Sequence, residues 1–197
     1  VVPGELDAGE WQSADAILQA WTEGRWLVSP PSVSLLQTIR GFAVEELPRR
    51  ARPLFERLTE GGIPPIWFNP GVLMLPLFSD GLPPSTHTNA YLVGTDSLYL
   101  LDPGPSDLTE QQRLFDALDR HLKETGQRLT AVVLTHQHRD HIGAATACAM
   151  RYNVPVLGHP LTARALAGKV EVAATLEGGS RLELGQAPDG CGPWHLE

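Results

Sequence analysis

The spacing of apolar residues changes near residue 65. Before it, apolar positions recur at helical intervals. Ile17, Leu18 and Trp21 share one face, Leu35, Leu36 and Ile39 a second, and Leu54, Phe55 and Leu58 a third. Ser32 stands where it can cap the second helix, and Gly61-Gly62 where they can close the third. Pro-Pro pairs at 30–31 and 64–65 punctuate the segment. Residues 1–65 are therefore predicted to form a helical lead-in.

From residue 66 to 197 the pattern is that of strands alternating with helices. Residues 72–78 form a short apolar run containing Pro76, which predicts an edge strand because proline donates nothing to a ladder. Residues 89–93 and 98–101 flank Gly94-Thr95-Asp96-Ser97 and predict a β-hairpin, stopped by Asp102-Pro103-Gly104. A helix follows, with Thr109 and Gln112 at capping-box spacing, Leu114, Phe115, Leu118 and Leu122 inward, and Gly126 at its end. Residues 129–134 are nearly all apolar, as in a strand covered on both faces. The pattern then predicts a small-residue helix at 142–152, a strand at 154–157 and a short helix at 161–167. Strands are expected at 170–176 and 180–184, and the opening of another at 193–197. A hairpin followed by alternating strands and helices predicts an α/β sheet sandwich.

Composition narrows the function. With 19 Gly and 17 Pro in 197 residues, short elements and turns are expected rather than a helical bundle. A net charge of −8 disfavours non-specific nucleic-acid binding, although bound cations would reverse the local field at a site. The two cysteines, Cys148 and Cys191, have no spacing suited to a disulfide framework or a cysteine zinc site, and Cys148 reads as a buried helix residue. No apolar run approaches a membrane span and no signal-peptide pattern occurs, so a soluble cytoplasmic protein without membrane partners is the expectation.

Candidate chemistry concentrates in one place. Three of the seven histidines fall within the six positions 136–141, in Thr135-His136-Gln137-His138-Arg139-Asp140-His141. The run begins where the apolar strand ends, so its side chains can converge at a sheet edge. His136 and His138, two apart in extended chain, can point the same way and share one metal. Asp140 and His141, at the turn into the next helix, can face a second metal about 3.5–4 Å away. Imidazole with carboxylate suits zinc, with iron or manganese as alternatives.

This run resembles the signature of the metallo-β-lactamase superfamily. The stretch Thr88-Asn89-Ala90-Tyr91-Leu92-Val93-Gly94, followed by Leu100-Leu101-Asp102-Pro103-Gly104, is similar to that family's opening hairpin and Asp-x-Gly turn. The resemblance covers roughly residues 66–197. It implies the first half of an αββα sandwich, with His136 and His138 on one zinc and Asp140 and His141 on the other. Asp102 would orient the ligand loop without binding metal. It also implies metal-assisted hydrolysis, in which Asp140 helps to aim a water at an ester, thioester or phosphodiester. The wording of the motifs is most similar to the β-lactamase-like protein 2 group, some of whose members act on single-stranded RNA. Hydroxyacylglutathione-type thioester hydrolysis competes with it.

The downstream ligands of that pattern have no match here: a Thr-Pro-Gly-His turn, a bridging aspartate and a final histidine. His195, His159, His87 and His121 are not assigned as ligands. With Val1 in place of a starting methionine, the chain is expected to be part of a longer protein, continuing for about another hundred residues. A truncated or degenerate module serving binding or assembly is the contrasting expectation. The stretch from Trp11 to Trp21, with Gly24 to Ser32 after it, resembles the tail of a Nudix hydrolase domain. The glutamate-rich catalytic helix of that family is absent.

Overall fold

A computed structural model of the chain describes residues 9–59, 62–81 and 84–197, apart from the side chain of Arg57. Three helices come first: α1 (Ala14–Thr22), α2 (Pro30–Ile39) and α3 (Leu47–Thr59). Strands β1 (Ile66–Asn69), β2 (Val72–Phe78), β3 (His87–Val93) and β4 (Leu98–Leu101) lead to helix α4 (Leu108–Thr125). Next are β5 (Leu129–Leu134), α5 (Arg139–Ile142), α6 (Ala145–Tyr152), β6 (Val156–Gly158), α7 (Pro160–Ala165) and β7 (Ala174–Thr175). A hairpin of β8 (Leu182–Gln186) and β9 (Pro193–Leu196) completes the order.

Strands β1 to β7 form one sheet in sequence order. Pairing is antiparallel from β1 to β4 and parallel from β4 to β7. The apolar run in β4 follows from burial on both faces. Leu98 and Leu100 pack with Leu114 and Leu118 of α4 and Cys148 of α6. Tyr99 and Leu101, on the opposite face, pack with Leu184 of β8 and Trp194 of β9. β5 divides likewise, with Val132 and Leu134 toward the helices and Ala131 and Val133 toward the hairpin. The layers are thus helices, seven-stranded sheet and a second small sheet, as the first half of an αββα sandwich requires. The β3–β4 turn is tied to the second sheet, because the N–H groups of Thr95 and Asp96 donate to the Leu184 carbonyl at 2.9 and 3.0 Å.

The helical lead-in packs on the main sheet at its β1 edge. Leu18, Trp21 and Val33 cluster with Trp67 of β1, and the Trp21 and Trp67 rings meet edge to face at 6.0 Å. Among the described residues no helix is long and apolar enough to cross a membrane.

Several expectations are corrected. The run at 72–78 is not an edge strand, because β2 lies between β1 and β3. Its proline is tolerated because β1 pairs only as far as Met74. Two residues on from Pro76, the Phe78 N–H donates to the Glu110 carboxylate of α4 at 3.1 Å. The second helix starts at Pro30 with Ser29 at its N-cap, not Ser32, since prolines fit the first turn, where no N–H is required. Asp107, not Thr109, caps α4, accepting from the N–H groups of Thr109 and Glu110 at 2.8 and 3.1 Å. The third stripe lies on α3 as expected, with Phe55 59% and Leu58 49% exposed. Gly61, expected to help close that helix, lies outside the described residues. The helix expected at 142–152 begins at Ala145, and a separate short helix, Arg139–Ile142, precedes it within the histidine run. Of the strand expected at 170–176, only Ala174–Thr175 pairs.

Candidate metal centre

The site is built on the end of β5 and on the turn that follows β4. Asp102 continues the β4–β5 ladder, its N–H donating to the Val133 carbonyl at 3.0 Å. It then turns sharply, with φ 47°. That left-handed conformation is uncommon outside glycine, but aspartate is among the residues that adopt it. The turn buries its carboxylate, leaving the residue 6% exposed.

The loop after the turn is locked against the ligand run by two glycines. A Cβ on Gly104 would lie 2.0 Å from the Asp140 carbonyl oxygen, and one on Gly143 would lie 2.5 Å from the Gly104 carbonyl oxygen. Both approaches exclude a side chain. They allow the Gly143 and Ala144 N–H groups to donate to Gly104 and Pro103 at 3.2 and 2.9 Å. The Gln111 amide of α4 reaches the Pro105 carbonyl at 3.1 Å and the Gly143 carbonyl at 3.4 Å, tying the same two segments together.

The Asp102 carboxylate organises the histidines. Its Oδ1 accepts the Thr135 N–H at 2.8 Å, and its Oδ2 accepts the Thr135 hydroxyl at 2.5 Å. The His141 Nδ1 lies 3.0 Å from the same Oδ2. A carboxylate only accepts, so His141 carries its proton on Nδ1 and keeps the Nε2 lone pair free. The Thr135 hydroxyl has spent its single proton on Asp102. Its contact with His136 Nδ1 at 2.9 Å must therefore be donated by the ring. His136 accordingly also has a free lone pair on Nε2. One buried carboxylate sets both tautomers, directly for His141 and through Thr135 for His136.

The ring nitrogens lie close together. His136 Nε2 is 3.1 Å from His138 Nδ1, and the His136 ring centroid is 4.1 Å from that of His141. His141 Nε2 is 3.7 Å from Asp140 Oδ2, which accepts from the Thr88 hydroxyl of β3 at 3.3 Å. The Ser79 hydroxyl supports Thr88 at 2.6 Å. Burial, with His141 adding to it, holds the His136 imidazole below its usual pKa, which favours the neutral, ligating form.

Donor atoms of Asp102, His136 and His141 lie within 4.8 Å of one another, so proximity alone would make Asp102 a ligand. Its Oδ2 already meets the Thr135 hydroxyl and His141 Nδ1, and its Oδ1 the Thr135 N–H, which ties the carboxylate to holding the loop. With His136 Nε2 bare, its contact with His138 Nδ1 is donated by the His138 ring, and a cation would have to displace that proton; the candidate donors are then His136 Nε2, His138 Nδ1, His141 Nε2 and the Asp140 carboxylate. Imidazoles with a carboxylate fit a zinc-type ion.

The structure brings His136 beside His138 and His141, and Asp140 beside His141, with the Asp102 carboxylate on His141 Nδ1. The roles of Thr135 and Thr88 were not legible, since both stood only as letters of a motif. The remaining histidines have other duties. His159 caps α7, its Nδ1 accepting the Leu161 N–H at 3.2 Å. His121 packs on Trp67 at 5.4 Å, and His87 stacks on Phe78 at 4.0 Å. His195 lies in β9 opposite Glu183.

Fold and site together define a layered α/β protein with a histidine–carboxylate centre at the end of a parallel strand. The chain belongs to the metallo-beta-lactamase superfamily, whose family model matches residues 84–195. It is 29% identical over 125 residues to the "Probable metallo-hydrolase YqgX" of Bacillus subtilis, covering 55% of this chain and 52% of that protein. A 44-residue stretch is 46% identical to Ribonuclease J of Methanocaldococcus jannaschii, covering 22% of this chain and 10% of that protein. In fold it is similar to a metallo-beta-lactamase from Pontibacter korlensis, with a TM-score of 0.51 at 20% identity, covering 60% of this chain and 54% of the other. The chain therefore spans about half the length of the first of these relatives, and a tenth of the second.

Proposed function

We propose that this chain carries a metal-binding portion of a binuclear metal-dependent hydrolase. In this reading His136 and His138 hold one cation, and Asp140 and His141 the other. Asp102 orients the histidines through Thr135 and His141. The observation that supports the reading is that one buried carboxylate leaves the Nε2 lone pairs of both His136 and His141 free beside His138 Nδ1 and Asp140. Bound zinc, or iron or manganese, would supply a Lewis acid that makes water nucleophilic near neutral pH. Asp140, held by Thr88, would orient that water toward the scissile bond. Two of these donors per cation fall short of the usual four ligands, so further donors complete the centre in this reading.

The substrate reading is an ester, thioester or phosphodiester. The motif wording resembling the β-lactamase-like protein 2 group and the short likeness to Ribonuclease J favour single-stranded RNA. The net charge of −8 favours a small thioester. Residues 1–65 are proposed as a lead-in, Nudix-like in wording, that docks on a metallo-β-lactamase half-domain at 66–197. A non-enzymatic module is disfavoured by the intact donor set.

Zinc titration of the chain tests the site. Binding that is weak, but lost in His138→Ala, is expected; equal binding in that variant would sink the assignment. For the whole protein, a thioester, a phosphodiester and a β-lactam are to be compared, with His138→Ala as control. Turnover unaffected by that variant would remove the metal site from the chemistry.

A further inference from the structure

A cleft of about 380 Å³ opens between the lead-in helices and the sandwich, lined by α2, α3, β1 and α4. It shares no residue with the metal centre. Arg120 lies about 20 Å along α4 from Asp107, at the end away from the histidine run, given a rise of about 1.5 Å per residue. Arg40, Arg50 and Arg120, from three separate segments, all line it.

Such a gathering is unusual in a chain with 15 Lys and Arg against 23 Asp and Glu. Among the described residues none of the three arginines has an ion-pair partner, whereas Arg25, Arg49, Arg113 and Arg151 each do. Arg50 is oriented instead by Phe42, its guanidinium lying 3.8 Å from the ring centroid. Glu124 is the one carboxylate among the described lining residues. The Trp67 and His121 rings form part of the wall, and burial keeps His121 toward its neutral form.

We propose that this cleft binds an organic phosphate of mononucleotide size. Guanidinium forks match phosphate oxygens in pairs, and unpaired arginines converging on one cleft are arranged for that charge. The volume lies within the range of small-molecule sites, roughly 300–1,000 Å³. The Trp67 and His121 rings, tilted 46° to each other, offer aromatic wall that a base or similar ring would contact. A cleft of this volume suits a single such unit better than an extended strand, which needs a groove tracking many phosphates. A ligand here touches both the lead-in and α4, so its binding would hold the two together and raise the unfolding temperature.

The test is a titration of the chain at fixed ionic strength with AMP, inorganic phosphate and adenosine, read by tryptophan fluorescence and thermal shift. AMP is expected to bind saturably, more tightly than inorganic phosphate, with no saturation by adenosine. Arg120→Ala and Arg50→Ala should each weaken AMP roughly tenfold or more, while circular dichroism stays unchanged. Arg120→Lys should recover part of the loss, keeping the charge without the fork. His138→Ala should bind AMP as the parent does. The proposal is overturned if AMP fails to saturate at millimolar concentration, if adenosine binds as tightly, or if inorganic phosphate matches AMP. Loss of AMP binding in His138→Ala but not in the arginine variants would also overturn it.

Discussion

Asp102 accepts both the backbone N–H and the side-chain hydroxyl of Thr135, at 2.8 and 2.5 Å, from a left-handed backbone conformation. This pairing joins the end of β4 to the first residue of the histidine run. It also dictates which nitrogen of His136 stays free.

Removing that carboxylate therefore acts on the metal site without touching the proposed ligands. Asp102→Ala should lower zinc affinity about 10–100-fold, as loss of an orienting partner does elsewhere. Because the Thr135 N–H loses its acceptor, it should also cost about 1–3 kcal/mol of stability. Calorimetric zinc titration and urea unfolding measure the two effects. An affinity equal to the parent's would show that the tautomers are set by something else.

The glycine contacts make a second prediction. Gly104→Ala places a Cβ 2.0 Å from the Asp140 carbonyl oxygen, and that oxygen belongs to backbone that cannot rotate away. The variant should lose about 1–3 kcal/mol or more in urea unfolding, in the range of overpacked sites. It should also bind zinc more weakly, since the turn carrying Asp140 and His141 must shift. Gly41→Ala makes a useful contrast. Its φ of 75° strains any side chain, but a Cβ there meets nothing within 4 Å, so stability should fall without a change in zinc affinity.

His121 gives a pH dependence. Burial against Trp67 lowers its pKa, partly offset by Gln127 and Glu124. The unfolded chain then binds the proton more readily than the folded one. The stability contributed by the neutral ring is present above the unfolded value of about 6.5 and is lost as pH falls through the lower folded value. Urea midpoints measured downward from pH 7.5 should decline, and His121→Gln should flatten that decline. A decline of equal slope in the variant would assign it to other groups.

The two thiols should differ sharply. Cys148 is fully buried in α6, and burial pushes its thiol up to about 12, whereas Cys191 is exposed. The thiolate is the reactive form, so a thiol reagent should modify Cys191 alone in the folded chain and both residues in denaturant. Rapid modification of Cys148 under native conditions would mean that α6 opens readily.

Much of the sheet was legible because burial on both faces leaves a nearly unbroken apolar run, as at Leu98–Leu101 and Leu129–Leu134. Caps were less so. Ser32 and Thr109 have the right chemistry, but Ser29 and Asp107 lie nearer the true helix starts, and which of two suitable residues caps depends on where the preceding chain is held. The stripe at Leu54, Phe55 and Leu58 falls on a helix as its periodicity predicts, but Phe55 and Leu58 stay exposed, because periodicity reports a face and not what covers it. Pro76 suggested an edge, but an interior strand tolerates proline where its neighbour stops short.

The sequence by itself determined the donor types at 136–141 and their place at the end of a strand, because ligand chemistry and strand periodicity are local. The cleft with its three arginines could not be read from it, since Arg40, Arg50 and Arg120 come to line one cleft only when α2 and α3 sit beside α4. Nor could the free nitrogens of His136 and His141. Each tautomer is set by a hydrogen bond to Asp102, made directly or through Thr135, across a separation of more than thirty residues. Only the tertiary structure decided that, because a proton's position on imidazole follows from what faces its other nitrogen.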